Sequence, residues 1–153
     1  MSKFVADTML GTLAKWLRIA GIDTAYLPHA EDDEIIALAA AEGRIILTRD
    51  RDLASRAPPG AAVVLPDGTL EEQISFLRAG LEIKPEDPLS RCILCNTMLV
   101  RVPRSEVEHK VPSQVFDRER VFWRCTQCAR IYWPASHYDA MRRRLQVLFP
   151  SSE

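Results

Sequence analysis

The chain has 153 residues, of which 47% are hydrophobic, so it can form one domain or one domain with an appendage. It has neither a run of about 18 apolar residues nor a signal-like amino terminus, so we expect a cytoplasmic protein without a membrane span. The formal net charge is −1, but residues 1–89 carry −6 and residues 90–153 carry +5. This asymmetry predicts two parts with different roles, the second suited to a polyanion.

The first half of the chain alternates short apolar runs with segments of helical periodicity. Gly21 and Gly43 are natural helix stops, and Thr69 with Glu72 has the spacing of a capping box before a helix that ends near Gly80. Four strand–helix repeats predict an α/β fold, with a parallel sheet and helices on both faces. The predicted strands cover residues 4–6, 24–27, 45–47 and 61–65.

Charged residues follow the third predicted strand, in the segment RIILTRDRDL at 44–53. Asp50 and Asp52 lie two positions apart and repel each other unless a cation lies between them. The cation can be Arg49, Arg51 or a divalent metal. Alternatively, Asp50 is a helix N-cap and Asp52 a first-turn carboxylate favoured by the helix dipole.

Acidic residues also follow the other predicted strands. Asp7 ends the first strand, and Asp32 or Asp33 opens the second helix. Since the carboxyl ends of parallel strands share one edge of the sheet, these acids and Asp50 can face one crevice, where Mg²⁺ or Mn²⁺ would relieve their repulsion. The alternative is that Asp7, Asp32 and Asp50 are three separate N-caps, each worth about 1 kcal/mol.

A proline-containing linker at 84–90 separates two expected domains, residues 1–84 and 90–150, the second ending in a helix. The second domain contains two CxxC pairs. Two such pairs supply the four thiolates of a tetrahedral structural zinc site, with redox dithiols or buried thiols as alternatives. The 29 residues between the pairs exceed the usual spacing, which an inserted hairpin or loop would explain. The predicted zinc ligands are Cys92, Cys95, Cys125 and Cys128.

Arginine and aromatic residues interleave in the second domain. Arginine pairs with phosphate and flat rings stack on exposed bases, so this pattern favours RNA binding. For Trp123, Tyr132 and Trp133 we favour packing over base stacking. The arginines of the last helix either contact phosphate or form a solvated face. The predicted RNA-binding residues are Arg120, Arg124, Arg130, Arg142 and Arg143.

Several segments together resemble the family named after the carboxy-terminal RNase domain of the Mut-seven exonuclease. They are VADTMLGTLAKWLRIAGIDT, DDEIIALAAAEGRIILTRDRDL, SRCILCN and FWRCTQCARIYWPASHY, within residues 3–145. The resemblance implies a PIN-like nuclease domain followed by a zinc ribbon, and metal-dependent RNA cleavage by clustered aspartates. The implied aspartates are Asp7, Asp32, Asp50 and Asp52. The chain has no clear match to the glutamate that many PIN nucleases place on an intermediate helix.

Two hypotheses follow. In the first, the chain is an endoribonuclease whose aspartates hold Mg²⁺ or Mn²⁺ and whose ribbon, held by Zn²⁺, binds RNA. Arg49, Arg51 or Lys15 would then neutralise charge that develops during cleavage. In the second, the chain is a non-catalytic RNA-binding or adaptor protein in which the aspartates are only helix caps.

Overall fold

A computed structural model describes residues 2–135 and 137–151. The first half of the chain forms a four-stranded parallel sheet with the order β2-β1-β3-β4. The strands are β1 (Phe4–Ala6), β2 (Thr24–Tyr26), β3 (Ile45–Thr48) and β4 (Ala62–Val64). The predicted α/β fold with a parallel sheet is therefore confirmed.

Four helices connect and follow these strands, and their ends agree with the local stop and start signals. Gly43 ends the second helix with a φ of 66°, a left-handed conformation that glycine adopts readily. The Thr69–Glu72 capping box is present, and the fourth helix ends at Leu81, next to Gly80 as predicted. The helices are α1 (Gly11–Ile19, after a 3₁₀ turn at Thr8–Leu10), α2 (Asp32–Glu42), α3 (Arg51–Arg56) and α4 (Leu70–Leu81).

The sheet is buried on both faces because successive residues of each strand point to opposite sides. On one face, Val5 and Ile46 pack with Ile35 of α2 and Leu53 of α3. On the other, the buried cluster is formed mainly by α1, α4 and the alternate strand residues, including Phe4, Ala6 and Leu47. The helices α2 and α3 therefore share one face of the sheet.

The second half begins with a small antiparallel sheet of order β5-β6-β7. A 3₁₀ turn and the helix α5 are inserted between β5 and β6, which accounts for the long spacing between the cysteine pairs. Val102, Val107 and Phe122 form the small core beneath this insertion. The elements are β5 (Leu99–Val102), the turn Arg104–Glu106, α5 (Ser113–Arg118), β6 (Phe122–Cys125) and β7 (Ile131–Tyr132).

The last helix, α6 (Tyr138–Leu148), returns to the first half of the chain. Leu145 and Leu148 lie in the same buried cluster as α1 and α4, and Arg144 forms an ion pair with Glu71 of α4. The helix therefore completes the core beside the parallel sheet. None of the described helices is long and apolar enough to cross a membrane.

Hydrogen bonds join the first cysteine pair to the open edge of β2. The buried Arg18 donates from Nε to the Thr24 carbonyl and from Nη1 to the Ile93 carbonyl, both at 2.8 Å. The side chain of Asn96 accepts from the Thr24 amide at 3.0 Å and donates to Asp23 at 2.6 Å. These bonds occupy backbone groups that an edge strand otherwise exposes, and they fix the cysteine cluster against the parallel sheet.

The segment between the two halves is also packed against α1. The Glu86 amide donates to the Ala20 carbonyl and the Leu89 amide to the Ile19 carbonyl, each at 2.8 Å. Gly21 has a φ of 86°, and a Cβ there would lie 1.9 Å from the Glu86 carbonyl oxygen. The close approach therefore requires glycine, and the predicted linker forms an ordered contact.

Candidate active and metal sites

The hydroxyl of Thr48 links the Asp7 side chain to the Asp50 backbone at the carboxyl edge of the sheet. Thr48 Oγ1 donates to Asp7 Oδ2 at 2.7 Å and accepts from the Asp50 amide at 2.9 Å. Thr48 is fully buried and Asp7 is nearly so, whereas Asp50 is exposed. Since β1 and β3 are neighbours in register, Asp7 and Asp50 follow strands that end side by side. The hydroxyl thus fixes one carboxylate and one strand end relative to each other.

Both of these acids also cap the element that follows them. Asp7 Oδ1 accepts from the Thr8 hydroxyl at 3.2 Å and from the Met9 amide at 3.4 Å. Asp50 Oδ1 accepts from the amides of Asp52 and Leu53 at 2.8 and 3.4 Å. The expected N-cap interactions are therefore present at these two positions. A carboxylate has two oxygens with about four acceptor sites, so capping leaves each group able to bind a further donor or a cation.

Asp32 lies at the same edge but has a different partner. It is the first residue of α2, which Glu31 precedes as N-cap, so the expectation that Asp32 is itself an N-cap is not met. Arg56, the last residue of α3, donates to Asp32 Oδ2 at 3.1 Å and also to Asp33. These two acids are therefore held by one guanidinium, in a partly exposed ion pair.

Asp52 lies in the exposed first turn of α3, two residues beyond Asp50. Within residues 2–135 and 137–151, no three of the carboxylates have oxygens within 4.8 Å of one another. The structure thus links the Asp7 carboxylate to the Asp50 backbone through Thr48, joins Asp32 to α3 through Arg56, and leaves Asp52 at the helix start. A metal at this edge would be held by few protein ligands, with water or substrate supplying the others.

Asp67 is an acid at this edge that the sequence reasoning missed. It follows β4, which pairs in parallel with β3, so it lies beyond the same ends of the strands as Asp7 and Asp50. Its carboxylate lies 3.8 Å from Nη1 of Arg49 and is almost fully exposed. Its position after the fourth predicted strand was the available signal, the same signal that selected Asp7 and Asp50.

The four predicted cysteines form one compact cluster. Their sulfur atoms all lie within 4.8 Å of one another, and Cys92 Sγ and Cys128 Sγ are 3.8 Å apart. A tetrahedral zinc with bonds of about 2.3 Å places neighbouring sulfurs about 3.8 Å apart, so the spacing fits zinc. Cys92 and Cys125 are buried, and all four cysteines are free thiols. The cluster can therefore hold a zinc ion with a closed set of four protein ligands, as in a zinc ribbon.

The surroundings of the cluster favour thiolate at one of its positions. Burial raises the pKa of Cys125, but hydrogen bonds from the backbone amides of Cys128 and Gln127, together with those from the thiols of Cys128 and Cys92, bring the pKa to about 7. Burial and the neighbouring thiols raise the pKa of Cys95 to about 12. Close thiols cannot all ionise alone, so a bound cation would stabilise the fully deprotonated set.

Tyr132 supports the cluster from β7. Its hydroxyl lies 3.1 Å from Cys92 Sγ and accepts from the Ile93 amide at 3.2 Å. Burial and the hydrogen bond with Cys92 raise the pKa of Tyr132 above its ordinary value. The hydroxyl therefore stays neutral and can donate to a thiolate, which orients the first cysteine pair.

A comparison with protein families assigns the chain to one of them. The family model described as the Mut7-C RNAse domain matches residues 2–145 of the chain. The chain belongs to the Mut7-C RNAse domain family. No curated protein gives a match. Membership in this family indicates a nuclease-type function with RNA as substrate.

In this Mut7-C RNAse domain, the five predicted RNA-binding arginines occupy different surroundings. Arg124 is half-buried, with Nη1 3.6 Å from Glu106, and Arg142 lies over the ring of Tyr138 on its own helix. The guanidinium of Arg130 is 6.0 Å from the Tyr132 ring centroid. Arg120 and Arg143 are exposed. The five side chains therefore differ in their partners and in their exposure.

Proposed function

We propose that the chain is an endoribonuclease that hydrolyses RNA phosphodiester bonds with Mg²⁺ or Mn²⁺ held by Asp7 and Asp50. The observation that carries the proposal is the Asp7–Thr48–Asp50 link. It ties a nearly buried carboxylate to the backbone of the residue that carries an exposed one, at the sheet edge where open α/β folds bind their ligands. Capping a helix does not require Asp7, which follows β1, to accept a hydrogen bond from the hydroxyl of Thr48 in β3.

The donors at this edge suit Mg²⁺ or Mn²⁺. Both ions prefer oxygen ligands, and Mg²⁺ usually keeps several waters while one or two carboxylates hold it. Asp50 Oδ2 accepts no hydrogen bond from the described residues, and Asp7 Oδ2 accepts only from Thr48. Two carboxylates with free acceptor sites are thus a sufficient protein contribution. Asp32 and Asp52 would add negative charge around the ion. Asp32 would do so once it is released from Arg56.

A bound ion of this kind supplies an activated water and neutralises charge on the phosphodiester. The chain's own residues orient the site. Thr48 keeps one Asp7 oxygen in a fixed direction, and the capped start of α3 fixes Asp50. Arg49 precedes Asp50 in the chain, its guanidinium lies 3.8 Å from the Asp67 carboxylate, and it would contribute positive charge toward a phosphate.

The cysteine cluster would bind zinc as a structural ion, since four thiolates complete the tetrahedral shell. In this proposal, residues 1–84 provide the cleavage edge, and residues 90–150 form the zinc ribbon that contacts the RNA backbone. The net charges of the two parts, −6 for residues 1–89 and +5 for residues 90–153, support that division.

Cleavage of single-stranded RNA by the zinc-loaded protein, with and without Mn²⁺, tests the proposal. Asp7→Asn and Asp50→Asn should each reduce the cleavage rate at least about a hundredfold while RNA binding is retained, because asparagine keeps the shape and capping ability but removes the charge. Asp117→Asn, in α5, is the matched control and should cleave at the wild-type rate. Equal cleavage by all four proteins would contradict the proposal.

A second candidate, a non-catalytic RNA-binding adaptor, is favoured by the caps at Asp7 and Asp50 and by the Arg56–Asp32 pair. All three acids then have structural partners. The same experiment separates the two functions. An adaptor would bind RNA but would leave it intact with every metal, in wild type and variants alike.

A further inference from the structure

A groove of about 310 Å³ runs between α1 and the cysteine-containing half of the chain. One wall carries Lys15 of α1, and the other carries Arg130, Tyr132 and Trp133 from the β7 region, with His137 at the start of α6. Its volume lies in the range of small-ligand sites, which is about 300–1,000 Å³. Both halves of the chain therefore contribute to this groove.

The cations of the groove are free to bind a ligand. Lys15 and Arg130 are exposed, and neither forms an ion pair with any residue in the described part of the chain. None of the described residues that line the groove is acidic. The groove therefore carries unbalanced positive charge, as a phosphate-binding surface requires.

A second groove, beside β2, shows the contrast. It contains Arg18, Arg44 and Arg91, but the protein already uses each of them. Arg44 pairs with Asp23 at 2.7 Å, and Arg18 and Arg91 donate to backbone carbonyls. Arg18 and Arg91 join the two halves of the chain, and Arg44 joins parts of the first half. Positive charge alone therefore does not distinguish a binding groove from an internal contact.

The aromatic side chains give the first groove an apolar surface. Tyr132 and Trp133 are each only partly buried. The Tyr132 hydroxyl is directed to Cys92, and the Trp133 ring packs at 60° against Phe122, with 6.4 Å between ring centroids. Both rings are thus held rigidly while part of each remains accessible. A rigid, accessible aromatic surface beside unpaired cations is the usual arrangement for stacking bases of a single strand.

We propose that the groove between Lys15 and Arg130 binds single-stranded RNA, with phosphates on the two cations and a base against Tyr132 or Trp133. This inference rests on the proposed ribonuclease function and assigns the substrate path for it. Lys15 lies in α1, eight residues after Asp7, and the 3₁₀ turn and first helical turn between them rise at least about 12 Å. The groove therefore opens about two helical turns from the edge that carries Asp7, a distance that a few nucleotides of an extended strand can span.

The bound RNA must be single-stranded because the bases of a duplex are stacked on each other and unavailable to the rings. A duplex also presents its phosphates over a surface wider than a groove of this size. Preference for an unpaired strand over a duplex of the same sequence is therefore part of the proposal.

Salt-dependent binding of a fluorescent single-stranded RNA, without added Mg²⁺ or Mn²⁺, tests the groove. The double variant Lys15→Ala with Arg130→Ala should lower the slope of log affinity against log salt by about 1.4, since each phosphate contact on a single strand contributes about 0.7. Affinity should fall about tenfold or more at about 100 mM salt. A duplex RNA should bind more weakly than the single strand to wild type.

The matched control removes the same charge elsewhere. Arg101→Ala with Lys110→Ala replaces one arginine and one lysine that are exposed and lie outside the groove. This control should change the salt slope by less than half of the change seen in the Lys15→Ala, Arg130→Ala variant. If both double variants lost the same affinity and slope, the proposal would be overturned, because the binding would then reflect diffuse positive charge. Unchanged zinc content and melting temperature in each variant would show that folding is intact.

Photocrosslinking locates the base without any substitution of the aromatic core. RNA that contains 4-thiouridine should crosslink to the peptide that carries Tyr132 and Trp133, and crosslinks confined to α5 or to Arg142 and Arg143 would overturn the proposal.

The cleavage assay separates this inference from the proposed function. Groove-dependent binding without cleavage would contradict only the ribonuclease, whereas cleavage with unchanged slopes would contradict only the groove.

Discussion

The cysteine cluster and the aspartate edge are two predicted metal sites built in opposite ways. The cluster has four sulfurs within 4.8 Å of one another, two of them on buried residues, and it needs no further ligand. The aspartate edge links Asp7 to Asp50 through one hydroxyl, while Arg56 holds Asp32 and solvent surrounds Asp52. One donor set is closed by the protein alone, and the other remains open.

This difference is the one expected between structural and catalytic metal sites, because a catalytic ion needs open positions for water and substrate. A site whose ligands all come from the protein can be recognised from the distances between protein atoms. A site with open positions cannot, since its remaining ligands come from outside the chain. The following experiments, in order of decreasing expected effect, test whether the two sites behave as differently as their geometry predicts.

Loss of the cysteine site should have the largest effect. Cys92→Ser should reduce bound zinc from one per chain to a small fraction and unfold the ribbon, because structural zinc sites contribute about 10–16 kcal/mol of apparent binding energy at neutral pH. Metal analysis and thermal unfolding measure both changes. Wild-type stability in a zinc-free Cys92→Ser protein would show that the cluster has no structural metal.

Thr48→Val should have the next largest effect, at the aspartate edge. The substitution keeps the shape but leaves the Asp50 amide and one Asp7 oxygen without their shared partner, which should lower the free energy of unfolding by about 1–3 kcal/mol. Cleavage should also fall, because Asp7 loses its fixed orientation. Urea unfolding and the RNA assay measure the two effects. Thr48→Ser, which keeps the hydroxyl, is the control. If it lost as much stability and activity as Thr48→Val, the methyl group would matter more than the hydrogen bonds.

A smaller loss of stability is expected from breaking the contact between the first cysteine pair and β2. Asn96→Gly should lower the free energy of unfolding by about 1–2 kcal/mol, because the buried Thr24 amide loses its acceptor. Glycine is chosen because Asn96 has a φ of 68°. The control is Ala129→Gly at the corresponding position of the second cysteine pair, where φ is 65° and glycine should be neutral or stabilising. If both glycine variants lowered the free energy of unfolding equally, the cause would be backbone entropy and not the lost hydrogen bond.

The smallest effect is expected at Arg56. Arg56→Ala removes the partner of Asp32 and increases the negative charge at the edge, so Mn²⁺ should bind up to about fivefold more tightly. Titration calorimetry on the zinc-loaded protein measures this change. Arg78→Ala, on α4, is a control of equal charge and should leave Mn²⁺ binding unchanged. Weaker Mn²⁺ binding in Arg56→Ala would mean that the pair supports the site.

Many local features of the fold were predictable because short stretches of sequence determine them. The strand at Phe4–Ala6, the stop at Gly43 and the capping box at Thr69 agree with the structure. Other features depend on contacts between distant residues. The 3₁₀ turn Thr8–Leu10 precedes α1, and its Thr8 carbonyl accepts a hydrogen bond from the Tyr26 hydroxyl at 2.8 Å. The predicted linker is ordered because its amides bond to the end of α1.

The sequence by itself determined the four cysteines of the cluster and three of the acids that follow strands, because CxxC spacing and strand–acid succession are local patterns. Only the tertiary structure decided that Thr48 ties Asp7 to the Asp50 backbone and that Arg56 pairs with Asp32. Likewise, Lys15 and Arg130 come from different halves of the chain, and only the packing of α1 against the ribbon places them on one groove. The physical reason is that hydrogen bonds and ion pairs between distant residues depend on how the elements pack, which no local pattern encodes.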